Sequence, residues 1–184
     1  VRMLISPTSD YAQAGAWAMG RAMDDAIITA ATGTSYGGVA GGTSVTLPSG
    51  NKVVHGSTGL NLAKLLSAKE IIDAGDVDPE EERFIICSAG QLTDLLNVEQ
   101  VTSSDYATVK ALAQGEIDTY LGFKFIRSQR LGTDSDGNRQ VLAFCKSAIG
   151  LALGADISTK ISERADKNYA TQVFLSMSIG ATRI

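Results

Sequence analysis

"YAQAGAWAMGRAMDDAIITAATG", residues Tyr11 to Gly33, decides how the rest of the chain must be arranged. Ala16, Met19, Met23, Ala26, Ile27 and Ala30 recur at three- and four-residue steps, which places them on one stripe of an α-helix. Pro7, Thr8, Ser9 and Asp10 precede it and offer N-caps, while Gly33 is a C-terminal stop. At 1.5 Å per residue the helix is a rod of roughly 34 Å, near the diameter of a small domain. Its apolar stripe is mostly Ala and Met, so a neighbour can approach closely and the rod should lie flat on a sheet. Trp17 reads as a large apolar anchor. On the opposite side Arg21 can meet Asp24 and Asp25 at i+3 and i+4.

The far end of the chain supplies that sheet. From Val173 to Ala181 the odd positions are Val, Leu, Met, Ile and Ala, and the even ones from Ser176 are Ser or Gly. A period of two over this length is a strand with one buried face. "DISTKIS" (156–162) is its expected antiparallel partner across the charged loop "ERADKNY" (163–169).

Between the ends lies a compact α/β section. Residues 34–59 are rich in Gly, Ser and Thr and read as a long loop with short strands at Ser44–Leu47 and Lys52–His55. A second helix is expected over Asn61–Ala74, with Leu62, Leu65, Leu66 and Ile72 on its apolar side and Gly75 ending it. An acidic turn, "DVDPEEER", leads to a strand at Phe84–Cys87, then a brief helix capped by Ser88. A third helix is expected over Ser104–Gln114. "TYLGFKFIRS" (119–128) reads as a strand, "GTDSDGN" as a hairpin turn and "RQVLAFCK" as the returning partner strand.

Composition excludes several functions. The 184 residues carry 44% hydrophobic and 20% charged side chains, ordinary for a globular protein of one generous domain or two small ones. A net charge of −4 does not suit a surface that grips phosphates. No apolar run approaches the ~20 residues of a membrane helix, and no signal peptide is visible. Cys87 and Cys145 are far apart, inside apolar runs, and read as buried thiols of a reducing compartment. The chain opens on Val1 and not Met, from which we expect a fragment.

Chemistry is scarce. The glycine loop lacks a phosphate-cradle motif, and "DSDGN" has its Gly at the fourth place of a calcium loop and Cys145 at the twelfth, so it is a turn. His55 is the single histidine, which rules out multi-histidine metal sites, and no nucleophile elbow supports a triad through it. Asp76, Asp78, Glu80, Glu81 and Glu82 form an acidic run, read as a solvated turn; the competing reading is a small oligomeric hydrolase using Asp78 and Glu81. We assign no catalytic, cofactor-binding or metal residue and read the chain as a non-enzyme that acts through its surfaces.

The order of parts resembles a known family. A helix "AGAWAMGRAMDDAIITAA" entering a glycine loop "ATGTSYGG" resembles the spine helix and glycine loop of tailed-phage major capsid proteins of the Hong Kong 97-like fold. "GLNLAKLLSAKEIIDAGDVDPEEERFIICSAGQLTDLLN" and "YLGFKFIRS" look like the start and a strand of the axial (A) domain. "ADISTKISERADKNYATQVFLSMSIGATRI" looks like the β-ribbon of the peripheral (P) domain. In wording, "VRMLISPTSDYAQAGAWAMGRAMDDAII" and "DKNYATQVFLSMSIGATRI" are similar to podophage-type capsid proteins. From this resemblance we expect the N-terminal arm and extended loop of the family to be absent from this stretch, and with them the loop lysine that some relatives use for isopeptide cross-links.

The resemblance implies an α+β fold: a long spine helix packed on an antiparallel β-ribbon, with an inserted α/β A domain. Residues 1–75 and 155–184 would be the P domain and 76–154 the A domain, with 98–118 pointing toward capsomer centres. It implies self-assembly as pentamers and hexamers of an icosahedral shell around double-stranded DNA held non-specifically. Scaffolding, portal or cement proteins would be partners, no membrane would be, and the virion would be the location after assembly in the host cytoplasm. An encapsulin-like cellular compartment uses the same architecture and is the alternative. Arg21, Asp24 and Asp25 are then either a neighbour contact or a solvated network. Glu163, Arg164, Asp166 and Lys167 are either a threefold contact, both signs being suited to self-complementary rotation, or an ordinary exposed hairpin.

Overall fold

The computed structural model of the chain describes residues 10–97 and 119–184. The rod is present: α1 spans Asp10–Thr32. Of its expected stripe, Met19, Met23, Ala26, Ile27 and Ala30 are half-buried and Ala16 is exposed; Ile28, outside that stripe, is buried. Trp17, expected as an apolar anchor, is 65% exposed among the described residues. The expected caps Pro7, Thr8 and Ser9 lie outside the described residues.

α1 lies on a two-stranded antiparallel ribbon of β7 (Ile149–Arg164) and β8 (Ala170–Arg183). The odd residues from Val173 to Arg183 face inward and the even ones from Phe174 outward, as the period of two requires. β7 starts seven residues before the expected "DISTKIS". Two register shifts, at Leu153/Ala155 and Ala155/Ser158, interrupt its pairing, and such irregularities bend and twist a ribbon. The approach of rod to ribbon is close. A Cβ at Gly15 would stand 2.5 Å from Leu175 Cδ1, so the smallest residue lets α1 touch β8.

The middle of the chain forms a second layer. β4 (Thr119–Tyr120), β5 (Phe123–Arg127), β3 (Arg83–Cys87) and β6 (Leu142–Cys145) make one sheet in the order β4-β5-β3-β6. This corrects two expectations. "TYLGFKFIRS" is not one strand but a hairpin, because Leu121 and Gly122 both take positive φ (53° and 84°), the conformation that closes a two-residue turn. "RQVLAFCK" pairs with β3 and not with β5, since β3 enters parallel to β5 and lies between them.

α2 (Leu62–Ala74) and α3 (Ala89–Leu96) bury their apolar sides on this sheet. Asn61 caps α2 by accepting from the Lys64 N–H at 3.0 Å. Gly75 ends it as expected, but Asp76, at φ 56°, takes the left-handed position. Ser88 precedes α3 and donates its own N–H to Gln91 Oε1 at 2.8 Å. Leu65, Ile85, Cys87, Leu92, Leu95, Phe123 and Phe125 form the core, and Leu66, expected with them, is exposed. On the other face Phe84 and Phe144, directly paired across β3 and β6, stack with centroids 5.9 Å apart.

In the glycine loop the strands are β1 (Ser35–Gly37) and β2 (Thr43–Val45), not 44–47 and 52–55. The hairpin closes early because Gly38 and Gly41 adopt positive φ. The Pro-Ser-Gly-Asn stretch is a 3-10 turn over Ser49–Asn51. The expected helix at 104–114 lies outside the described residues.

Candidate assembly surfaces

Three constellations join or terminate the layers. The first begins with α1, which carries Asp25 toward the loop after β5. Arg130 in that loop grips both Asp25 carboxylate oxygens, Nε to Oδ1 and Nη2 to Oδ2. The loop is held ready: the Arg130 N–H donates to Ser128 Oγ at 3.2 Å, Arg139 Nη1 donates to Gln129 O at 2.6 Å, and Leu131 is buried. The guanidinium holds the Asp25 carboxyl below the usual carboxylate range, and Asp25 in return raises Arg130. The arrangement corrects the expected Arg21 network. Among the described residues no ion pair joins Arg21 to Asp24 or Asp25; both Arg21 and Asp24 are exposed, and Asp24 adds to the negative field at Arg130. Nothing in the sequence signals a pair 105 residues apart.

The second is Arg183, near the end of β8, which sequence reasoning missed. Its Nη1 donates to Gly33 O at 2.9 Å and Ala31 O at 3.3 Å, and its Nη2 donates to Val45 O at 3.0 Å. The last turn of α1 has no basic residue of its own. Arg183 supplies the positive charge that the carbonyl end of a helix favours and ties rod, ribbon and β2 together.

The third is the ribbon tip, where a 3-10 turn over Ala165–Lys167 joins β7 to β8. Arg164 Nε donates to Asp166 Oδ1 at 2.9 Å, and its Nη2 reaches Oδ2, which lowers the Asp166 carboxyl. Two of the four expected tip charges therefore satisfy each other within the chain. Glu163 and Lys167, both exposed, are joined by no ion pair among the described residues.

The groups considered for catalysis have structural work. Glu81 is not merely solvated: it accepts from the Ser147 N–H at 2.6 Å, and the Ser147 hydrogen bonds lower its carboxyl. Asp78 Oδ1 accepts from the Glu80 N–H at 3.0 Å. Asp134 Oδ1 accepts from the N–H groups of Asp136 and Asn138, which consumes that carboxylate in its turn. His55 Nδ1 accepts from the Ser57 N–H at 3.2 Å. Both cysteines are free and buried; burial pushes the Cys87 thiol up to about 11 and raises Cys145 as well, the opposite of an activated thiolate. Among the described residues no cluster of His, Cys, Asp and Glu could hold a metal ion, and no helix is long and apolar enough to cross a membrane.

Solved structures share this architecture. A chain of Mycobacterium phage Che8 superposes with a TM-score of 0.63 at 20% identity, covering 94% of this chain and 58% of that one. The capsid structure of cyanophage P-SCSP1u gives 0.65 at 21% identity, with 99% and 64% covered. The mature capsid of bacteriophage PhiM1 gives 0.52 at 12% identity, with 96% and 62% covered. The chain thus spans about three fifths of the length of the chains it resembles. No curated protein matches it. The phage capsid protein family matches residues 1–184, and with that match over its whole length this mixed α+β chain belongs to the phage capsid proteins.

Proposed function

We propose that this chain is the subunit of a Hong Kong 97-like major capsid protein that self-assembles into an icosahedral shell around double-stranded DNA. The observation that carries the reading is the family match from residue 1 to residue 184. The geometry supports it. A rod of roughly 34 Å lies on a ribbon whose longer strand has 16 residues, and the four-stranded sheet forms a separate unit of its own. That is the form of a tile. The helix–ribbon layer with the glycine loop is assigned to the P domain (1–75 and 155–184) and the sheet with α2 and α3 to the A domain (76–154).

Subunit contacts are assigned to Arg21 and Asp24 on the open side of α1 and to Glu163 and Lys167 at the tip. Asp25, Arg164 and Asp166 act within the subunit, shaping those surfaces. Many identical modest contacts allow misplaced subunits to leave, while their number makes the closed shell persist. A net charge of −4 suits a wall that encloses DNA without gripping it. Pentamers and hexamers, scaffolding, portal and cement partners, and assembly in the host cytoplasm before residence in the virion belong to the same reading. The encapsulin-like and hydrolase alternatives are not favoured by the family match.

Electron microscopy of the full-length protein tests the proposal. The expected picture is closed, angular particles containing DNA. Soluble monomers, or particles filled with an enzyme cargo, would overturn it.

A further inference from the structure

We propose that the turn from His55 to Gly59 is a cage for a small cation, filled in this chain by the ammonium group of Lys64. The cage concerns the subunit alone and stands apart from the shell reading. Lys64 Nζ donates to His55 O at 2.6 Å, to Thr58 O at 2.5 Å and to Gly59 O at 2.9 Å. These partners lie nine, six and five residues before it, so the turn itself brings them together. All five residues of the turn are exposed, where backbone carbonyls ordinarily face water. Three of them converge on one nitrogen instead and replace its hydration shell, as carbonyl oxygens do around a bare cation.

The backbone bends to make this convergence. Gly56 and Ser57 follow one another in the left-handed region, at φ 59° and 56°. Gly adopts that region freely and Ser does not. The Ser57 N–H donates to His55 Nδ1 at 3.2 Å, and the Thr58 N–H donates to His55 O at 3.4 Å. Lys64 is fixed at its other end too, where its own N–H donates to Asn61 Oδ1. A negative group lies beside the cage: a Cβ on Gly59 would stand 2.5 Å from Asp94 Oδ2. Burial draws the Lys64 pKa below its ordinary value, and the Asp94 carboxylate opposes that shift. Only the charged amine carries three N–H donors for three carbonyls. The ligand class is therefore a compact monovalent cation, ammonium above all. Through it the end of the glycine loop is tied to the first turn of α2.

The test uses unassembled subunits of the full-length protein and reads hydrogen exchange over residues 55–60. Lys64→Met keeps the stem and removes the charged nitrogen, leaving the cage open. Exchange there should quicken about fivefold while β3 and β5 stay unchanged. Ammonium chloride should restore most of the protection. Tetramethylammonium chloride at the same concentration should not, because that cation has no N–H and is too wide. Unchanged exchange in Lys64→Met means that the turn holds itself without the ammonium, and overturns the cage. Equal rescue by both salts, or rescue by neither, also overturns it. Wild type gives a reading that needs no variant to fold: acetic anhydride should acylate Lys64 at least fivefold more slowly than the exposed Lys52. Equal rates would overturn the cage as well.

Discussion

The four-stranded sheet and the two-stranded ribbon solve the same problem differently. The sheet is covered by α2 and α3, and Phe123, Ile85, Leu95 and Cys87 are at most 1% exposed. The ribbon is covered on one side, mainly along β8, by α1. Every residue of β7 from Leu151 to Arg164 is exposed, including Leu151, Leu153, Ile157 and Ile161. A two-stranded ribbon is marginal alone in water. The comparison teaches a division of labour: the sheet layer holds itself together, whereas the ribbon layer depends on α1, on Arg183 and, in the proposed shell, on neighbours.

The largest effect that sharpens this contrast is expected from Phe123→Ala. Phe123 is fully buried at the centre of the core, and truncating such a residue costs about 3–5 kcal/mol. Urea unfolding of the isolated subunit should show that loss. A cost under ~1 kcal/mol would mean that the sheet layer is not the stable one.

Next comes Gly15→Val. Its new methyl groups would crowd the Leu175 side chain and loosen the α1–β8 contact, an overpacking cost of about 1–3 kcal/mol. Hydrogen exchange should quicken along β8 and stay unchanged in β3 and β5. Equal quickening in both sheets would break the division.

Arg183→Met should cost about 1–2 kcal/mol, near the low end for hydrogen bonds to a charged group because the side chain is only half-buried, and act locally. Faster exchange is expected at the last turn of α1 and at β2. Arg183→Lys should recover only part, because an ammonium cannot spread donors over three carbonyls as the planar fork does.

Much of this was legible in the sequence because periodicity reports burial on a single element. The α1 stripe and the alternation in β8 are local patterns set by one apolar neighbour, and Asn61 and Gly75 act within one turn of their helix. What escaped is of another kind. The strand order β4-β5-β3-β6 depends on which apolar strand enters the middle, and β3, β5 and β6 all read as apolar runs. The Leu121–Gly122 turn was hidden because Leu gives no sign of a positive φ. Trp17 looked like an anchor because apolar size predicts burial, and size alone does not report the 65% exposure that the fold leaves it. Among the candidate site residues, the Arg164–Asp166 pair lies within the local reach that sequence reasoning covers. Asp25–Arg130 and Arg183 are joined only by the fold.

The smallest expected effect, and the most specific, is that of Asp25→Asn. The pair with Arg130 is exposed on both sides, so water and salt screen it, and its service is to fix the sheet layer against the rod. Its pH signature follows from linkage. The carboxyl sits below its ordinary value of 3.8 when folded, so its contribution is fully present above that value. It is lost as pH falls through the lower folded value. Wild type should therefore exceed Asp25→Asn slightly at pH 6, with the difference closing below about pH 4 and shrinking in high salt. Arg130→Met should reproduce the pattern, and the double variant should add nothing further. A difference that persists in acid, or singles that simply add, would show that Asp25 and Arg130 work separately, and that the two layers are held together by packing alone.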